Sequence, residues 1–167
     1  MSLKALIDDN RSAIEADPVK ASATFAVTGH LAGTTEVAIC ARHHGLTVDE
    51  PPALAGADRG ANPVEHALIA LASCQAVTYL FWAAQLGIEL ESVHVIAEGD
   101  LDVRGFFGFD QNVRPGFTAV RLKVTPSGPE SAGRYEQLAD AVDAHCPVYD
   151  IFSNATPIER NVAVTAS

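Results

Sequence analysis

From Val64 to Leu86 the chain carries apolar residues on every side of a helical projection. The run has a defined start. Asn62 is a capping residue, Pro63 suits the first helical position, and Glu65 can reach back to the cap amide. Gly87 marks the stop. A helix of that length is about 36 Å long. Apolar all round, it needs cover on all sides, which a partner subunit would help to supply. It is also long enough to span a bilayer. However, Glu65, His66, Gln75 and Gln85 interrupt it, alanine dominates it, and no basic residues flank it. The pattern predicts a buried central helix in a protein that does not cross a membrane.

The remaining pattern is mostly of strand type. Residues 22–28, 35–41 and 45–49 predict three strands before Pro51-Pro52. Residues 92–98 and 117–125 predict a second pair. The last alternates, with Val120, Leu122 and Val124 on one face and Arg121, Lys123 and Thr125 on the other. Between these two strands Arg104 to Phe109 reads as a glycine-punctuated aromatic loop. Residues 130–145 predict a helix, with Tyr135, Leu138, Ala139 and Val142 on one stripe and Pro147 as its end. Residues 157–165 predict a final strand. Residues 1–19 read as an amphipathic helical arm, and residues 20–167 as one domain without repeats or linkers. The element order suggests an α+β fold, with antiparallel sheets around the long helix.

Composition narrows the function. The 167 residues are 48% hydrophobic and 19% charged, as in a globular domain. A net charge of −10 argues against nucleic acid and anionic membrane surfaces as partners. The N-terminal run lacks the layout of a secretory signal. Three cysteines without framework spacing then predict reduced thiols in the cytoplasm.

Cys74 lies within the long helix and admits two readings. A buried free cysteine packs as a small hydrophobe. A reactive one needs a nearby cation, a hydrogen bond or a helix N-terminus to favour the thiolate. Its helical neighbours Ala67, Ala70, Leu71, Val77, Thr78 and Phe81 form a mainly apolar face. Any activating group must therefore come from another segment, with Arg42, Arg59 and Arg104 as candidates. Cys146 lies at a predicted helix C-terminus. That position disfavours an anion and suits a thiol that resolves an intermediate. Cys40 reads as strand packing. Glu65, nine residues before Cys74, falls on the opposite side of the helix and about 13 Å along it, so it reads as a cap. His66 is about 12 Å along the axis and can line the same cavity. His43-His44 and the other histidines show no metal-ligand spacing, and no phosphate loop or nucleophile elbow is present. Neither a metal nor a cofactor is expected.

Several motifs together resemble the OsmC/Ohr family, the osmotically inducible and organic hydroperoxide resistance proteins. They are Asp49-Glu50-Pro51-Pro52, Gly56 to Gly60, Asn62-Pro63 with the proline eleven residues before Cys74, Glu98 to Gly105, and Cys146-Pro147-Val148. The resemblance implies an intertwined α+β homodimer with its active sites at the subunit interface. It implies a peroxidase in which Cys74 attacks an organic hydroperoxide and becomes a sulfenic acid. Cys146 then condenses with it, and a dithiol such as a lipoyl protein reduces the disulfide. His66, Phe106, Phe107 and Phe109 would line the substrate pocket, the phenylalanines as its lid. The chain departs from the hydroperoxide reductases at two points. Val64 stands where their glutamate follows Asn-Pro, and the acid is Glu65. Thr28 to Gly33 lacks their arginine, leaving Arg42 as its substitute. These departures point to the general OsmC-like branch. Two other readings stand beside it: a binding module for a small apolar or thiol ligand with Cys74 inert, and a cysteine hydrolase using Cys74 and His66.

Overall fold

The computed structural model describes residues 1–165. Its elements are α1 (Leu3–Ala16), β1 (Thr28–Leu31), β2 (Val37–Ala41), β3 (His44–Val48), α2 (Pro63–Leu86), β4 (Ser92–Asp100), α3 (Val103–Phe107), β5 (Ala119–Ser127), α4 (Ala132–Asp143) and α5 (Pro147–Ser153). Strands β1, β2 and β3 form one antiparallel sheet in that order, and β4 pairs antiparallel with β5 in a second. The fold is mixed α/β, as the alternating and helical patterns predict.

Helix α2 forms where the sequence places it. The Asn62 carboxamide accepts the Glu65 amide at 2.8 Å, and the Glu65 carboxylate accepts the Asn62 amide at 2.8 Å. At the other end Gly87 adopts a left-handed conformation (φ 62°), which glycine takes without steric cost. By length and composition α2 could cross a membrane. Here it packs against β4, α4 and α5. Its buried side contributes Leu71, Gln75, Thr78, Tyr79 and Ala83. Tyr79 and Ala83 join Ile88, Leu138, Val142 and Cys146 in the main core cluster. The α4 stripe behaves as predicted, with Leu138 and Val142 fully buried. The opposite side of α2 is bare: Ile69, Val77, Leu80 and Phe81 are exposed.

Four predicted features change. The first strand begins at Thr28 and does not end there. Thr28 pairs with Cys40, and β2 stops at Ala41, so residues 22–27 have no partner to continue against. Residues 157–165 form no strand, and Ile158, Val162 and Val164 lie exposed. The aromatic loop contains a short helix, α3, started by Asp102 and stopped at Gly108. Pro147 opens α5 at its first position, where its missing N–H costs nothing. Cys146 is therefore the residue before a helix and not the last of one.

A carboxylate anchors the segment leading to α2. Buried Asp49 accepts the Thr35 hydroxyl at 2.6 Å and the amides of Glu50, Ala57 and Arg59 at 2.9, 3.0 and 3.2 Å. The Thr35 hydroxyl above all, with the three amides, holds its pKa at about 2 against an ordinary 3.8. A depressed folded-state pKa gives stability that is present above the unfolded value and lost as pH falls through the folded one. Asp49→Asn is expected to lower the urea midpoint near neutral pH. The gap from wild type should close as pH falls from 3.8 towards about 2. A gap that does not change with pH would show that the charge is irrelevant.

Candidate functional site

The two cysteines that the sequence places 72 positions apart meet in the core. Cys146 is 1% exposed, and half-buried Cys74 packs against its cluster. Helix α2 positions Cys74, and the α4–α5 turn carries Cys146 over it. Cys74 is among the groups that push the Cys146 pKa up. Both thiols are free.

The surroundings of Cys146 are mixed. Burial is the largest influence and pushes its pKa up. The Tyr149 amide in the first turn of α5 pulls it down, Cys74 raises it, and the Thr78 hydroxyl lowers it. The amide faces the sulfur without making a full capping bond. Thr78, 8% exposed, donates its hydroxyl to the Cys74 carbonyl at 2.7 Å, one turn back along α2. In the sequence Thr78 stands out only as a neighbour of Cys74. Its i+4 spacing from the cysteine is the signal that could have found it.

The candidate activating arginines are elsewhere. Arg104 forks onto Asp102, with nitrogen–oxygen distances from 2.6 to 3.1 Å. Arg59 pairs with Glu36 at 3.1 Å. Arg42 sits at the tip of the β2–β3 hairpin with φ 58°. Among the described residues no guanidinium hydrogen-bonds a cysteine sulfur. The Glu65 carboxylate serves the α2 cap. Cys40 is not packed as expected: it is exposed, and its thiol donates to the Arg42 carbonyl at 3.2 Å. His43 and His44 stack at 3.9 Å, and no metal-binding cluster occurs among the described residues.

A groove of about 940 Å³ opens beside the thiol cluster, between α2, β5, α4 and α5. Leu71, Tyr79, Arg114, Phe117, Tyr149 and Phe152 are among the residues that line it. Phe117 and Phe152 stack at 6.3 Å. Tyr79 has its pKa raised, chiefly by burial and then by Asp143 and Asp140, so it remains a hydroxyl donor. Next to Cys74, fully buried Gln75 reaches Asp143 at 3.4 Å and leaves its own carbonyl oxygen unpaired. Phe106, Phe107 and Phe109 do not line this groove. They form an exposed patch, in which Phe106 meets Phe107 edge-on at 5.0 Å and Phe107 stacks on Phe109 at 5.1 Å. His66 does not line it either, and its Nε2 is buried without a partner.

Residues 56–161 match the family model described as OsmC-like protein. No curated protein sequence matches the chain. Among solved structures, an OsmC-like protein from Mycoplasma pneumoniae superposes with a TM-score of 0.70 at 17% identity, covering 79% of this chain and 89% of that one. An organic hydroperoxide resistance protein OsmC from Legionella pneumophila gives 0.61 at 21% identity, covering 78% and 89%. An organic hydroperoxide resistance protein from Elizabethkingia anophelis gives 0.61 at 19%, covering 78% and 88%. At these identities the superpositions establish the fold.

Proposed function

The chain belongs to the OsmC-like protein family, and from that premise we propose that it is a thiol-dependent peroxidase for organic hydroperoxides. The observation that carries this reading is the meeting of Cys74 and Cys146 in one buried cluster. Two free thiols brought together from α2 and the α4–α5 turn can form a disulfide without unfolding the core. A thiol that served only as packing would need no second thiol beside it.

The Cys74 thiolate attacks the terminal oxygen of the hydroperoxide, the O–O bond breaks, and the alcohol leaves after taking up a proton. Cys74 is thereby oxidised to a sulfenic acid. The Cys146 thiolate then attacks that sulfur and expels hydroxide, which leaves as water with the proton from Cys146. A dithiol such as a lipoyl protein reduces the disulfide, is itself oxidised to a cyclic disulfide, and returns both thiols. Half-buried Cys74 is the more accessible thiol of the pair and the one a peroxide meets first. Cys146, at 1% exposure, is shielded from solvent.

Among the described residues no guanidinium hydrogen-bonds the Cys74 sulfur, and one side of α2 is uncovered. Both deficits point to a homodimer in which a second copy covers Ile69, Val77, Leu80 and Phe81 and brings a basic residue, with Arg42 the first candidate. Residues 22–27 and 157–165, predicted as strands and left unpaired, are suited to pairing across that interface. A reducing cytoplasm is the compartment in which such thiols turn over.

One equivalent of cumene hydroperoxide is expected to lower the protein mass by two hydrogens and to link the Cys74 and Cys146 peptides on mapping. Unmodified thiols at that stoichiometry would sink the proposal. The groove favours a second reading, a binding module for an apolar ligand with Cys74 inert. In that case Cys74→Ser binds the ligand unchanged, and the hydroperoxide produces no disulfide.

A further inference from the structure

We propose that the groove between α2, β5, α4 and α5 binds a short apolar peptide with free termini, its ammonium held at Asp143 and its carboxylate at Arg114. The inference goes beyond the peroxidase reading and does not depend on the thiols. It rests on the two charges that the groove carries, on their separation, and on what lies between them.

The charges lie at opposite ends. Asp143 and Arg114 both line the groove. Asp143 is the last residue of α4, three positions before Cys146, which shares the core cluster with Tyr79. Arg114 precedes Phe117, and its guanidinium lies over Gly116, with Nη2 3.5 Å from where a Cβ there would stand. Helix α5 runs from one end to the other. It starts at Pro147, next to Cys146, and its Phe152 stacks on Phe117 at 6.3 Å. Its rise over that stretch is about 10 Å. Among the described residues neither Asp143 nor Arg114 joins an ion pair, with each other or with any other residue. Two opposite charges on one groove, kept apart and unpaired, suit a ligand that carries both.

Each end matches its group. At Asp143 the C-terminus of α4 adds the negative pole of the helix dipole. Fully buried Gln75 donates to Asp143 at 3.4 Å and keeps its carbonyl oxygen without a donor, a second acceptor beside the carboxylate. An ammonium brings three donors to such acceptors. At the other end a guanidinium takes a carboxylate by a two-point contact. Between the ends Leu71, Leu122, Val124 and Ile151 supply apolar surface. Tyr79, Tyr149 and Ser153 add hydroxyls to the same lining. Tyr79 keeps its proton, because burial and then Asp143 and Asp140 raise its pKa. A plain alkyl chain would leave the hydroxyls and one of the charges without partners. A peptide offers side chains to the apolar walls and amide groups to the hydroxyls. Four extended residues span about 13 Å, enough to join the two charges. A volume of about 940 Å³ admits their branched side chains.

The test is calorimetric titration of the full chain with the tetrapeptide Ala-Leu-Ala-Leu, either free, N-acetylated, C-amidated or blocked at both ends. The free peptide is expected to bind wild type most tightly. Blocking either end should weaken binding about fivefold, the upper range for a solvent-facing charge pair. Asp143→Asn should abolish the effect of acetylation and keep that of amidation, and Arg114→Gln should do the reverse. Both side chains are exposed, so neither substitution enters the core. The blocked peptides probe the same two contacts in the unaltered protein. Four forms that bind wild type equally would overturn the proposal, and so would losses in the variants that do not match the blocked ends. Dodecanoate binding that depends on Arg114, with no ligand sensing Asp143→Asn, would overturn it in favour of an anionic lipid. The absence of any peptide binding would also overturn it, and would leave the groove to a second copy or to residues 157–165. Neither variant alters a cysteine, so the Cys74–Cys146 disulfide assay decides the peroxidase reading separately.

Discussion

Cys74→Ser is expected to lose organic hydroperoxide turnover by about a thousandfold or more, the usual consequence of removing a nucleophile. Cys146→Ser should behave differently. With Cys74 intact it should consume one equivalent of hydroperoxide per subunit at close to the wild-type rate. It should then stall with Cys74 as a sulfenic acid, because no second thiol lies in the cluster. Cys40 is not a substitute: it lies exposed on β2 and donates to the Arg42 carbonyl. Cys40→Ser is therefore expected to turn over normally. The measurement is stopped-flow peroxide consumption with a small dithiol in excess, backed by mass spectrometry of the stalled species. A Cys146→Ser protein that cycles like wild type would assign reduction of the sulfenic acid directly to the external thiol. A Cys74→Ser protein that retains full activity would remove Cys74 from the reaction altogether.

The asymmetry follows from burial. Neither serine is expected to unfold the protein, because a hydroxyl is close in size to a thiol. Yet the two positions differ. Cys146 belongs to the cluster with Leu138 and Val142, so Cys146→Ser places a hydroxyl among apolar groups, where it needs a partner. As the residue before α5, a serine there can accept from the first-turn amides of that helix. Cys74 is half-buried, and a hydroxyl there can bond back along α2. Thermal midpoints measured beside activity will separate a chemical loss from a folding loss.

Those features of the fold that depend on short stretches of chain were legible in the sequence. The Asn62-Pro63 start of α2, its capping box with Glu65 and its Gly87 stop are local chemistry, and each appears as read. So do the alternation of β5 and the Leu138–Val142 stripe of α4. What failed was contingent on distant partners. Residues 22–28 have strand-like composition, but a strand also needs a neighbour, and β2 ends too early to be one. Pro147 ends one helix pattern and starts another with equal ease, and only the turn geometry at Ala144 to Cys146 decides. That misreading placed Cys146 at the wrong end of a helix dipole. The candidate site shows the same division. The resemblance named both cysteines, whereas the Gln75–Asp143 contact needs the α2–α4 packing to be visible. Arg59 and Arg104 were chosen by charge alone, and acidic neighbours claim them, Glu36 from the β1–β2 turn and Asp102 two residues before Arg104.

Val77→Asp is expected to convert a dimer into a monomer and to slow the reaction of Cys74 with hydroperoxide, leaving the core intact. Val77 is 54% exposed, on the bare stripe with Ile69, Leu80 and Phe81. A two-fold interface uses the same patch on both subunits, so a stripe on α2 would meet its own copy. One aspartate per chain then becomes two carboxylates facing each other in an apolar seam, and both the lost burial and the repulsion oppose association. The core should not respond, because Tyr79, Ala83 and Leu71 lie on the other side of the helix. Sedimentation velocity reads the assembly, circular dichroism the fold, and the rate of sulfenic acid formation the chemistry. The three need not move together, and their pattern is decisive. A folded monomer that reacts at the wild-type rate would mean that the single chain activates Cys74 by itself, and the need for a cation from a second copy would fall. A variant that remains dimeric would show that this stripe is not the interface. A folded monomer with slowed Cys74 and an unchanged Cys146 alkylation profile would separate the two thiols. Activation of the first would then depend on the second subunit, and the reactivity of the other on the core cluster within the same chain.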